Sequence, residues 1–384
     1  MEKYKIAFIH NIISPYRIPL FEGLSGHPSL DLFVYFCAKT HKNRKWDVLE
    51  NKNYKYEVLS GILFESFGIT FHINPSIFLR LFKEKYDAVI ISGNPDFTTF
   101  ISYLTCRLFN IPIIWWSEGI ESAQSFLGKL ISPIIKHIVK NVDSVVVPGS
   151  LSRDFQVKMG SSYDKIFLAP NIVDNDTYIG KSLELKKNKA ESKQKLELNY
   201  STIILYVGQL IERKGVDYLI SAYQILKDEF EDLCLVIIGD GDFKNNLESI
   251  CNRNDINDVY FKGWVSEEEK FIYYSISDVF VLPTLSDVWG LVINEAMCFG
   301  LPVVSTKAAG ASWDMIVPGK NGYIVNSANV NELYYSIKKI IVNQDVCLKM
   351  GEESSKIIQN RFSVHDMVNG FVLAIEHALS SNIS

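Results

Sequence analysis

Short apolar runs alternate with longer amphipathic stretches along the whole chain. A short apolar run bounded by turn residues reads as a buried strand of a parallel sheet. An amphipathic stretch between two such runs reads as the crossover helix. In the first half this pattern predicts strands at 5–9, 31–36, 88–92, 112–116 and 144–147, with helices at 16–25, 75–85, 97–109, 125–141 and 150–159. From Lys181 to Asn199 the chain is rich in Lys, Glu, Ser and Gln and poor in aromatic and β-branched residues, and reads as a solvated connector or first helix. The second half restarts with a strand at 202–207, followed by a helix at 216–227 and strands at 233–238, 259–261, 279–282, 302–305 and 323–325. Residues 363–384 read as a terminal amphipathic helix. The expectation is therefore two similar α/β halves with a cleft between them: a first domain over 1–180, a connector over 181–199 and a second domain over 200–362.

Length and composition fit that picture: 384 residues give room for two ordinary domains, and 47% hydrophobic with 22% charged residues describes a globular chain with a large core. The net charge of −5 argues against a general nucleic-acid binder, which needs clustered Lys and Arg for phosphate contacts. The six cysteines are scattered without a C-x-x-C pair, which suits a reduced cytosolic protein better than a disulfide framework or a zinc site. No signal peptide or membrane-spanning stretch is expected, and the two N-x-S/T triplets at Asn175 and Asn199 read as chance matches.

Chemistry concentrates at the ends of apolar runs. The segment Leu285–Met297 sets Asp287 and Glu295 with seven residues between them across a turn that opens a helix, directly after the strand at 279–282. Helix N-termini at strand ends offer unpaired N–H groups to anions, so Gly290, Leu291 and Val292 are expected to face a crevice; the plainer reading is a surface Asp cap and a Glu on a polar helix face. The loop Gly208–Gly215 follows a strand and precedes a helix, and it carries Gln209, Arg213 and Lys214. It suits a diphosphate, and equally a glycine turn with a solvated Arg-Lys pair. Gly239-Asp240-Gly241-Asp242 imitates a D-x-D metal motif, but a glycine turn with a helix-capping Asp242 is favoured, so no metal is expected. In the first half, Ser14 and Arg17 follow the first strand, and Trp115-Trp116-Ser117-Glu118-Gly119 ends another. These would line the cleft; alternatively Arg17 is a helix-surface arginine and Glu118 a surface carboxylate beneath core tryptophans. Residues 125–142 carry an apolar repeat from Phe126 to Val139 with Lys129, Lys136 and Lys140 around it. That fits a helix packed on its sheet, with an anionic membrane surface as a second reading.

The chain resembles the large retaining glycosyltransferase family of the GT-B fold, in which two Rossmann-like domains face each other across a deep cleft. The family includes sucrose synthases and bacterial mannosyl and glucosyl transferases. The resemblance rests on Ser14–Phe21, Val145–Ser150, Pro170–Asp174, Gly208–Gly215, Gly239–Gly241, Gly263-Trp264-Val265 and, most specifically, Asp287–Pro302. It implies a nucleotide-diphosphate sugar as co-substrate and no cofactor. Lys214 would sit on the diphosphate, with Arg213 and Gly208 beside it; Gly239 belongs to the same donor set. Lys262, Gly263 and Trp264 would lie against the base and Glu295 on the ribose. Asp287, with the amides at Gly290, Leu291 and Val292, would meet the sugar and β-phosphate. Glu118 would join Asp287, Lys214 and Arg213 in the catalytic set, Ser14 and Arg17 would face a glycan or lipid-linked acceptor, and the terminal helix would cross back onto the first domain. It further implies metal-independent transfer with retention, in cell-surface polysaccharide or glycolipid synthesis, by a cytoplasmic protein peripheral to the inner membrane face. Three positions depart from the family pattern: Asp287 stands for a glutamate, Gln209 for an arginine, and no histidine occupies the loop around Glu118. Two rivals share the fold: a non-catalytic partner subunit and a nucleotide-sugar 2-epimerase. A dinucleotide-dependent dehydrogenase is disfavoured, because the first strand is not followed by G-x-G-x-x-G.

Overall fold

The computed structural model describes residues 3–40, 53–66, 69–93, 96–121 and 126–381. The chain divides into two compact units, one of residues 1–171 with 364–384 and one of residues 172–363.

Unit 1 runs β1 (Tyr4–Ile12), α1 (Ile18–Gly26), β2 (Leu30–Ala38), β3 (Lys55–Val58), β4 (Ile62–Ser66), β5 (Ile69–Ile73), α2 (Ser76–Glu84), β6 (Ala88–Ser92), α3 (Phe97–Leu108), β7 (Ile113–Trp116), α4 (Phe126–Asn141), β8 (Ser144–Val147), α5 (Ser150–Lys158) and β9 (Ile166–Leu168). Seven strands form a sheet in the order β3-β2-β1-β6-β7-β8-β9, and β4 and β5 pair separately as an antiparallel hairpin. Every pairing in the large sheet is parallel. Both faces are therefore covered by helices, and its central strands are apolar on both sides. On one face Ala7, Ile9, Val89, Ile91, Trp115 and Val145 meet Ile77 and Leu81 of α2, Tyr103 and Cys106 of α3, and Ile138 and Val139 of α4.

Unit 2 runs α6 (Asn175–Leu185), α7 (Lys189–Lys195), β10 (Thr202–Val207), α8 (Val216–Lys227), β11 (Leu233–Ile238), α9 (Lys244–Arg253), β12 (Val259–Gly263), α10 (Glu267–Ile276), β13 (Val279–Leu282), α11 (Leu291–Cys298), β14 (Val303–Thr306), α12 (Gly310–Met315), β15 (Gly322–Val325), α13 (Val330–Ile341) and α14 (Gln344–Arg361). Its parallel sheet has the order β12-β11-β10-β13-β14-β15. The last helix, α15 (Val364–Ser380), returns to unit 1, where its Phe371 ring lies against Phe8 and Trp116 and Ser144 Oγ donates to the Ala374 carbonyl at 2.8 Å.

The boundary differs from the expected one at residue 180. The segment 181–199 is not a free connector: α6 and α7 belong to unit 2. Tyr178 lies edge-on to Phe271 at 4.8 Å, and Lys189 donates to Asp278 at 2.7 Å while Lys193 donates to the Tyr200 carbonyl at 2.7 Å. The lysines that made this stretch look solvated are ion-pair and carbonyl partners of the unit's surface, and burial holds the Lys186 ammonium below its ordinary value. Strands β3, β4, β5 and β9 were not anticipated either. They are edge or hairpin strands of only three to five residues, too short for a pattern to stand out. Residue 125, the first of the expected helix at 125–141, lies outside the described residues. Further along that helix Ile138 and Val139 pack into the core, while Ile134 is half exposed.

Candidate active site

Each sheet has a point where its strand order reverses, between β1 and β6 in unit 1 and between β10 and β13 in unit 2. Loops leaving the carboxyl ends of the two strands diverge there and leave a crevice. In unit 2 these loops are 208–215 and 283–290, and they carry the two groups singled out in the sequence. Lys214 Nζ forms an ion pair with Asp287 Oδ2, both side chains largely buried. The loops are also tied through their backbones: Leu285 N donates to the Arg213 carbonyl at 2.9 Å, and Thr284 Oγ1 donates to it at 3.1 Å. A Cβ at Gly215 (φ +63°) would strike the Pro283 carbonyl oxygen, so only glycine allows this approach. Asp287 is held a third way, its N–H donating to the Ala308 carbonyl at 2.9 Å and its own carbonyl accepting from Gly310 N at 3.1 Å.

Gly290, at φ +92°, caps α11 without a side chain, so no capping oxygen covers the first-turn N–H groups of Leu291 and Val292. Their partial positive charge adds to the Lys214 ammonium beside the same loop. Arg213 is exposed and donates to the Ser286 carbonyl at 2.8 Å, fastening the loops together. Gln209 is exposed, and its carbonyl accepts from Tyr206 Oη at 2.9 Å.

Glu295 is not on a polar helix face. Its side chain is 8% exposed, and Oε2 accepts from Lys270 Nζ at 2.9 Å and from Tyr274 Oη at 2.9 Å. Lys270 in turn donates to Tyr178 Oη at 3.4 Å, and that hydroxyl donates to Glu267 at 2.6 Å. Burial first, and the Glu295 charge second, push the Tyr274 hydroxyl well above its ordinary value, so it remains a donor. Sequence reasoning missed Lys270 and Tyr274; their i, i+4 spacing on α10 was the available signal.

Gly239 has a packing role in addition to any donor role. A Cβ there would strike the Gly208 carbonyl oxygen, and Gly239 N donates to the Gly263 carbonyl at 2.8 Å. The glycines thus bind the loops after β10, β11 and β12 to one another. Asp242 does not cap α9, whose N-cap is Phe243 with no side-chain hydrogen bond. In the loop after β12, Gly263 takes φ +69°, Lys262 lies over the Tyr260 ring, and Trp264 is 61% exposed. Among the described residues no group of three or more His, Cys, Asp or Glu side chains is placed to hold a metal ion.

In unit 1, Arg17 is buried rather than on a helix surface, and its guanidinium pairs with Glu118, 101 residues away. Asn171 completes the cluster: Arg17 Nη1 donates to its Oδ1 at 2.5 Å, and its Nδ2 donates to Glu118 Oε1 at 2.7 Å. The guanidinium lies 4.5 Å from the Trp116 ring centre. Trp115 and Trp116 are both core residues, so the aromatic pair is structural while the carboxylate beyond it is engaged. Ser14 is buried, with no hydrogen-bond partner for its hydroxyl among the described residues. His10, also unanticipated, stacks on Trp116 at 5.3 Å; burial, then the Arg17 charge, hold its imidazole well below the ordinary histidine value.

Two Rossmann-like units, each with its strand reversal carrying polar loops, define the GT-B fold. The structure superposes on a crystal structure of Anabaena HepE in complex with UDP with a TM-score of 0.79, covering 97% of this chain and 99% of that one at 18% identity. A family model for glycosyl transferases group 1 matches residues 188–357. A capsular polysaccharide biosynthesis glycosyltransferase, CapM of Staphylococcus aureus, is 30% identical over 74% of this chain and 75% of its own length. An uncharacterized glycosyltransferase of Haemophilus influenzae is 31% identical over 42% of this chain and 46% of its own length. The chain belongs to the group 1 glycosyltransferases.

Proposed function

We propose that the protein transfers a sugar, with retention of anomeric configuration, from a nucleotide-diphosphate sugar bound by unit 2 to a hydroxyl of a glycan or lipid-linked acceptor recognised by unit 1. The observation that carries this reading is the Lys214–Asp287 pair at the strand reversal beside the uncapped start of α11. An ammonium and a helix mouth next to one carboxylate suit a diphosphate leaving group with a sugar on its far side. Most of the barrier to such a transfer is charge building on that diphosphate, which preorganised cations and N–H groups relieve. Lys214, Arg213 and the amides of Leu291 and Val292 supply that stabilisation in this reading, without a divalent metal. The leaving phosphate, on the same face as the incoming hydroxyl, takes its proton. Asp287 orients Lys214 and meets the sugar hydroxyls, Glu295 takes the ribose, and the exposed Trp264 offers a stacking face to the base. A uridine donor is favoured by the fold neighbour that carries UDP, and a role in surface polysaccharide assembly by the capsular relative.

The test is a thermal-shift series of the intact protein with UDP-, GDP- and ADP-sugars. A ligand bound only by the folded state raises the melting temperature by mass action. A shift with one nucleotide, together with sugar release to acceptor but not to an acceptor-free epimer, supports the reading. A flat response to all three favours a non-catalytic subunit.

A further inference from the structure

Between α2 and the edge strands β2 and β3 of unit 1 lies a pocket of about 350 Å³. That volume falls in the range of about 300–1,000 Å³ that small-molecule sites occupy. Strand register explains which residues share it. Lys5 stands beside Asp31, Phe33 beside Lys55 and Tyr35 beside Glu57. Side chains two apart on a strand point to one face, so Asp31, Phe33 and Tyr35 border the pocket together. Arg80 and Glu84, four residues apart on α2, form the facing wall, and Tyr86 follows that helix. Lys5, Asp31 and Lys55 stand at the starts of their strands, whereas Ser14 and Arg17 follow the carboxyl end of β1. The pocket therefore belongs to the end of the sheet opposite the strand-reversal crevice.

The charges of the pocket cancel in pairs. Lys5 meets Glu84 at 2.8 Å, Lys55 meets Asp31 at 2.7 Å and Arg80 meets Glu57 at 2.8 Å. Each carboxylate takes its cation on one oxygen, so the other can accept from a ligand, and each cation keeps N–H groups to donate. The Tyr35 and Tyr86 hydroxyls bond each other at 2.9 Å, which leaves one hydroxyl hydrogen to donate. Burial raises both hydroxyls above their ordinary value, so they stay protonated. The partly buried Phe33 ring, 4.8 Å from that of Tyr35, supplies an apolar side. With no surplus of either sign, an ion gains little net attraction here. A neutral ligand with many hydroxyls on an apolar ring matches both parts of the lining. Its hydroxyls donate to the carboxylates and accept from the cations, and its C–H face covers the aromatic ring. That is the chemistry of a pyranose.

We propose that this pocket is a second carbohydrate site, which binds one pyranose of a neutral oligosaccharide at the end of unit 1 opposite the transfer crevice. Phe33 carries the ring face, and the Arg80–Glu57 and Lys55–Asp31 pairs hydrogen-bond the hydroxyls. The site holds a sugar that is not being transferred. It needs no nucleotide, so it stands or falls independently of the transfer reading.

The experiment is saturation-transfer-difference NMR of the full chain, without nucleotide, titrated with maltose, lactose, mannobiose and diacetylchitobiose. At least one of these is expected to bind. A hydrogen bond to a charged group is worth about 10-fold in affinity. Glu57→Gln/Arg80→Gln and Asp31→Asn/Lys55→Gln are therefore each expected to weaken binding by about that factor or more. Both pairs are on the surface, so the melting temperature is expected to stay at the wild-type value. Phe33→Leu, which keeps an apolar side chain and removes the ring, is expected to lose binding. Glu118→Gln, in the crevice, is expected to bind the sugar as the wild type does. The proposal is overturned if none of the four sugars binds, or if the pocket variants bind like the wild type. It is equally overturned if Glu118→Gln abolishes binding, which would assign the sugar to the crevice. Displacement of the sugar by inorganic phosphate would also overturn it, by making the pocket an anion site.

Discussion

Lys214 and Asp287, 73 residues apart in the chain, form an ion pair where the loops after β10 and β13 diverge. Each side chain fixes the other, and both loops are held by backbone hydrogen bonds that do not depend on the pair. Replacing Lys214 with Ala therefore leaves the loops in place and removes the cation. Loss of one such preorganised donor costs about 100- to 1,000-fold in rate. Sugar transfer by Lys214→Ala is expected to fall by that factor, with an unchanged circular dichroism spectrum. A variant within a few-fold of wild type would remove the ammonium from the mechanism.

Glu295 and Lys270 behave differently, because the Glu295 carboxylate is more buried than that of Asp287, 8% exposed against 14%. Lys270→Met leaves the Glu295 carboxylate with one donor, Tyr274, in a buried place. Removing one partner of a buried pair costs about 3–5 kcal/mol, and the 18% exposure of Lys270 puts this case at the lower end. Urea denaturation is expected to show that loss. Lys270→Met/Glu295→Gln is expected to recover part of it while weakening nucleotide binding.

Arg17, Glu118 and Asn171 form one network, so their substitutions should not add. A double-mutant cycle on Arg17→Ala and Glu118→Gln is expected to give a coupling of about 1–3 kcal/mol in stability. If this network faces the acceptor, Glu118→Gln raises the KM for acceptor and leaves the KM for donor unchanged. A rise in the donor KM instead would assign Glu118 to another role.

His10 gives the protein a pH dependence of known sign. Its folded-state value lies below the ordinary 6.5 through burial and the nearby Arg17 charge. Between the folded value and 6.5 the unfolded chain binds more protons than the folded one, so this contribution is complete above the unfolded value and is lost as pH falls below it. The slope is about 1.4 kcal/mol per pH unit in that window. Urea midpoints at about pH 7.5 and about pH 5 should differ accordingly, and His10→Phe, facing Phe21, Phe36 and Trp116, should flatten the difference.

Much of this architecture was legible beforehand. Strands such as 202–207, 233–238 and 279–282 sit inside a fully covered parallel sheet. A strand buried on both faces must be apolar along its whole length, and that run is visible without any partner. The elements that escaped were those whose character depends on neighbours. The α6–α7 segment reads as solvated until Asp278 and Phe271 are placed beside it. The β4–β5 hairpin has the alternation of a strand in only five residues on each side.

The candidate site divides in the same way. Asp287, Lys214, Gly290 and Glu295 announce themselves because glycine turns and helix starts after buried strands are local features with local causes. Which side chains they meet is not local. Lys270 and Tyr274 reach Glu295, and Asn171 reaches Arg17 and Glu118, only because parallel strands far apart in the chain become neighbours. Periodicity along a chain records how much of a residue is covered, and so predicts the layers. Pairing between charges depends on distances across the sheet, and those exist only once the strand order has been chosen.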